Sequence, residues 1–115
     1  MTMIKVSATS RTAAVAGAIA GVIREDRRAE VQAIGAGAVN QAMKALILAT
    51  GYLRLDGIQV SCVPEFTDVT IEDKVRTAIK LVVEAEDIPN PSEIAGVTTE
   101  DQVRTAVKPV VEQER

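Results

Sequence analysis

The chain reads as an α/β protein, an α+β two-layer sandwich with the element order βαβαββ. Two apolar stretches of helical spacing each follow a short alternating run, and two longer alternating runs close the domain around a charged turn. Aromatic bulk is nearly absent, with Tyr52 and Phe66 alone, so Ala, Val and Ile fill a core of thin side chains and closely spaced elements. At 115 residues and 47% hydrophobic content there is room for one domain and an appendage.

Ile4-Lys5-Val6-Ser7 alternates and forms the first strand. Ser10 or Thr12 supplies an N-cap for the first helix. Val15, Ile19, Val22 and Ile23 then mark one apolar face, and Arg24, Arg27 and Arg28 complement the negative C-terminal end of that helix. Glu30 to Ile34 is the second strand. The second helix repeats the spacing with Val39, Met43, Leu46 and Ile47, and Gly51 is its expected stop. After a turn at Asp56-Gly57, Ile58 to Val63 forms a third strand, continued by Phe66 to Ile71 past a bend at Pro64. Glu72-Asp73 turns the chain into a fourth strand, Arg76 to Glu84, with Ile79, Leu81 and Val83 on one face.

Residues 1–86 form the domain, and residues 87–115 hold a linker with Pro89 and Pro91 followed by a duplicated strand segment. The run from Val69 to Glu86 recurs from Val97 to Glu114, an additional C-terminal strand repeat in which Pro109 replaces Leu81. Lacking a backbone donor, a strand with that proline is confined to an edge or to pairing on one side. It adds to its own sheet, lies on a neighbouring subunit, or is a flexible relic. Residues 1–86 carry ten basic and ten acidic side chains, and residues 87–115 three and six, so the net acidity belongs to the tail.

Chemistry is sparse. The absence of histidine removes the commonest general base and transition-metal ligand, so no catalytic residue, metal or cofactor is expected. Cys62, the single cysteine, lies in an apolar strand and fits a reducing cytoplasm and a buried, inert thiol. Ala13 to Ile23 is too short to span a bilayer, so no membrane association is expected. The corner Ala33-Ile34-Gly35-Ala36-Gly37-Ala38 turns a strand into a helix whose N-terminal amides favour anions. Its glycines equally suit close approach of a neighbouring element, and spacing alone favours that packing role.

Several strings carry a resemblance. Lys5-Val6-Ser7, the run from Val15 to Val22, the run from Gln32 to Ala42, Phe66-Thr67-Asp68 and the run from Arg76 to Leu81 closely resemble the stage V sporulation protein S family, over about Ile4 to Glu86. The resemblance implies an Alba-like βαβαββ fold and a homodimer or higher oligomer in the cytoplasm. It also implies a non-enzymatic regulatory role, linked in spore formers to septation and coat assembly. Alba proteins bind DNA and RNA through basic residues of the first strand-to-helix loop, the start of the second helix and the hairpin arms. Carried over by position, this implies Ser10 and Arg11 in the loop, Gly35, Gly37, Asn40 and Gln41 at the helix start, and Lys74 and Arg76 on the arm, and the nucleic-acid-binding set expected on a dimer surface is Arg11, Gly35, Gly37, Asn40, Gln41, Lys44, Lys74 and Arg76. At the helix start, glycine and glutamine stand where Alba proteins look basic, so weak and salt-sensitive binding to DNA or RNA is expected. The alternative is a self-assembling scaffold that uses the duplicated strand, with no small-molecule substrate in either case.

Overall fold

In the computed structural model, which describes residues 2–87, β1 (Met3–Val6) and β2 (Arg28–Ala33) are parallel neighbours joined through α1 (Thr12–Asp26). A second crossover, α2 (Ala36–Leu55), leads to β3 (Ile58–Ile71), which turns at Glu72-Asp73 into β4 (Lys74–Asp87). β4 pairs antiparallel with both β2 and β3, giving the order β1-β2-β4-β3. This is the α+β arrangement expected from the pattern. The linker and the repeated segment lie outside the described residues.

Alternation decides the layers. Ile4, Val6, Ala29, Val31, Ala33, Leu81 and Val83 point to one side and meet both helices in the core. Gln32, Glu30, Lys80 and Glu65 point to the other side, where Lys80 pairs with Glu65 at 3.1 Å and Glu30 at 3.8 Å, and Arg28 pairs with Glu30 at 3.2 Å. That side carries no helix. Along α1 the buried face is Val15, Ala16, Ile19, Ala20 and Ile23, close to the expected one.

The helices differ from expectation in three ways, two of them in α2. Its buried residues are Ala38, Ala42, Ala45, Leu46, Ala49 and Leu53, whereas Met43 and Ile47 face outward. Small side chains line the contact with α1, because two closely spaced helices leave no room for larger ones. Helix α2 also runs through Gly51 to Leu55, since fully buried Leu53 holds the next turn to the core and Gly57, at φ +75°, ends it. The expected cap is absent as well: Arg11 occupies the N-cap of α1, while the Ser10 hydroxyl accepts the Ser7 amide at 2.9 Å.

Strand β3 is continuous through Pro64, which sits opposite Leu81 on the outermost strand. An edge position tolerates the missing donor. The last β2 rung is Ala33 with Ile79, so the rungs from Thr67 with Ala78 to Ile71 with Lys74 project past the sheet as an arm. Glu72 and Asp73, at φ +51° and +63°, form the tight turn at its tip.

Candidate nucleic-acid interface

The β1–α1 loop is tied to the start of α2. Its Ser7, Thr9 and Ser10 hydroxyls bond one another at 3.1–3.2 Å, and the Ser10 amide donates to the Ser7 carbonyl at 3.1 Å. From α2, the Gln41 amide Nε2 donates to the Ser10 carbonyl at 2.7 Å and to Thr12 Oγ1 at 3.2 Å. A Cβ added to Gly37 would stand 2.9 Å from the Ala8 Cβ, closer than two carbons tolerate. Gly37 is therefore a close-approach residue, as the packing alternative held, and Gln41 is a brace. Together they fix Arg11 at the exposed head of α1, with exposed Lys44 one turn beyond Gln41 on α2.

Gly35, at φ +92°, turns β2 into α2 without side-chain capping. No acidic residue occupies the first turn of either helix, so no side chain of those turns offsets the partial positive charge there. Asn40 lies on the other flank of α2 from Gln41, in a groove shared with Gly35, Met43, Phe66 and Ile79.

The arm divides two surfaces. On the helix-free side, Lys5 of β1, opposite Gln32, shares a groove with Ser7, Val69 and Arg76 of the arm. Lys74 follows Arg76 on the same face by alternation, opposite Ile71. On the helix side, Phe66 and Ile79 of the hairpin face Val39 and Met43 of α2 across an apolar groove. The Phe66 side chain is 80% exposed.

The eight residues inferred by resemblance thus fall into three groups: Arg11, Gly37, Gln41 and Lys44 around the loop, Gly35 and Asn40 beside the apolar groove, and Lys74 and Arg76 on the arm. Lys5 is an addition to that set. Its position in an alternating run between Ile4 and Val6 was the available signal, since that parity turns it away from the core. Among the described residues, Arg24, Arg28 and Lys80 are in ion pairs, whereas Lys5, Arg11, Lys44, Lys74 and Arg76 are in none. Burial raises the Cys62 thiol pKa, which keeps it protonated and unreactive.

The family model for stage V sporulation protein S (SpoVS) matches residues 2–86. The chain belongs to the stage V sporulation protein S family. That match covers both helices and the sheet up to the penultimate residue of β4. Among solved structures, Alba from Thermoplasma volcanium superposes with a TM-score of 0.51 at 10% identity, covering 74% of this chain and 99% of that one. The fold is Alba-like, as the resemblance implied. No helix among the described residues is long and apolar enough to cross a membrane.

Proposed function

We propose that this SpoVS-family protein is a cytoplasmic, non-enzymatic regulator that binds the phosphate backbone of duplex nucleic acid weakly, as a homodimer or higher oligomer. The observation that carries it is the segregation of charge. Among the described residues, cations on the body of the sheet and at the end of α1 pair with carboxylates, while Lys5 and Arg76, which share a groove, Lys74 on the arm and Arg11 at the head of α1 are in no ion pair. Phosphate contacts position a protein on a duplex and draw most of their free energy from displaced counterions, so unpaired Lys and Arg are the required equipment. Single strands are a poorer match, because Phe66 lies on the opposite side of the arm and no aromatic side chain lines the groove of Lys5 and Arg76.

Self-association is supported by the outward stripe of α2, where Ile47 is 68% and Leu55 88% exposed, with Leu48 and Tyr52 between them. A second copy covering this stripe would set two arms on one assembly and double the phosphate contacts. The deciding experiment is a titration of labelled duplex DNA and duplex RNA followed by fluorescence anisotropy. Saturable binding is expected at about 20 mM salt and should weaken steeply toward about 200 mM. Absence of binding to either duplex at the lower salt would refute the proposal.

A further inference from the structure

Among the described residues β3 is an open edge of the sheet, and its 14 residues make it far longer than β1, the other edge, with 4. Eight of those residues are β-branched or aromatic, a composition that favours pairing. A row of unpaired amides and carbonyls on such a strand is a template for another strand. The ladder decides which amides form that row. The Ala85 amide donates to the Arg27 carbonyl at 2.9 Å, so the odd-numbered amides of β4 face β2 and the even-numbered ones face β3. Through the register, Glu65 with Lys80 and Val63 with Val82 are hydrogen-bonded rungs, and the even-numbered residues of β3 turn outward. Pro64 is one of these. Its missing donor falls on the open edge, and the ladder to β4 loses nothing.

The strand most available to such an edge is the β3 of a second copy, because a two-fold axis uses the same outward groups twice. An antiparallel overlap centred on residue 64 would employ 58–70 of both copies. Charge does not oppose it: Glu65 would face Val63 and Asp68 would face Val60, and Glu65 is already paired with Lys80 at 3.1 Å. Nor do the side chains along the middle of the strand, since Val63 to Phe66 are exposed. What opposes it is proline. The centred overlap brings the two Pro64 rings to one rung, where both donors are missing and each ring crowds the facing backbone. Moving the axis by one residue keeps both prolines in the middle, and clearing them from the overlap leaves 65–71, half of the strand. We propose that Pro64 closes the β3 edge, preventing copies of this chain from joining β3 to β3 into a continuous sheet and confining self-association to other surfaces. That closure holds whether or not the outward stripe of α2 self-associates.

Sedimentation together with hydrogen exchange read by mass spectrometry tests this on the full chain without nucleic acid, so the result is independent of phosphate binding. Pro64→Thr and Pro64→Val each restore the outward donor at an exposed position. Both are made in the unsubstituted chain and in Ile47→Lys, which separates the edge from the stripe of α2. At equal concentration each variant should sediment at least about twofold heavier than its own parent, and its peptides within 58–71 should exchange about tenfold more slowly. Peptides from α1 and β2 serve as the control for folding. Unchanged mass and exchange in the folded variants would overturn the proposal, as would a gain in mass without slower exchange across 58–71, which would place the new contact elsewhere.

Discussion

Gly37 and Gly51 are both glycines of α2, yet their surroundings predict opposite responses. At Gly37 a side chain meets Ala8, so Gly37→Val should cost roughly 1–3 kcal/mol through overpacking. At Gly51 nothing lies within 4 Å, so Gly51→Ala should stabilise the helix by about 0.5–1 kcal/mol. Urea unfolding of the two variants reads both signs. Cys62 gives a pH-dependent prediction. Its thiol pKa is raised by burial in the fold, so the folded state holds its proton more tightly than the unfolded state. Stability should be unaffected below the ordinary thiol range and decline as pH rises through it, and Cys62→Ala should flatten that decline in unfolding curves. Both residues were visible in sequence, but only distances separate the close-approach role of Gly37 from the anion-binding role its neighbours also suited.

At the scale of elements, hydrophobic spacing identified both helices and every strand, because periodicity reports secondary structure directly. It did not identify the buried face of α2. Val39, Met43, Leu46 and Ile47 are the bulkier residues, but the core contact belongs largely to Ala38, Ala42, Ala45 and Ala49. Where helices approach closely, small residues pack inside and larger ones remain for another surface, so size alone misassigns the face. Two substitutions separate the surfaces. Leu53→Ala, at a fully buried position, should cost about 2–5 kcal/mol in thermal or denaturant unfolding. Ile47→Lys should leave unfolding within about 0.5 kcal/mol of the parent while lowering the mass seen by sedimentation. An unchanged mass would remove the outward stripe of α2 as a self-association surface. The arm was legible as a hairpin, but its projection past β2 was not, since strand order and rung count come from pairing between distant segments.

Among the described residues the arm is a divider, with the Lys5 and Arg76 groove on one side and the apolar groove of Val39, Met43, Phe66 and Ile79 on the other. Composition hid this arrangement. A domain with ten positive and ten negative side chains is neutral on average, but among the described residues carboxylates pair with Arg24, Arg28 and Lys80, while Lys5 and Arg76 share a groove lined by no carboxylate. Lys5 entered that groove through the parity of β1, and Gln41 left the set of contacts to become the brace that holds Arg11 in place. The most direct measurement is the dependence of duplex binding on salt for the parent and for the chain carrying Lys5→Gln, Arg11→Gln and Arg76→Gln together. Loss of three phosphate contacts should lower the slope of log binding constant against log salt by about 3 while leaving the unfolding curve in place. An unchanged slope in the folded triple variant would contradict phosphate binding at this surface.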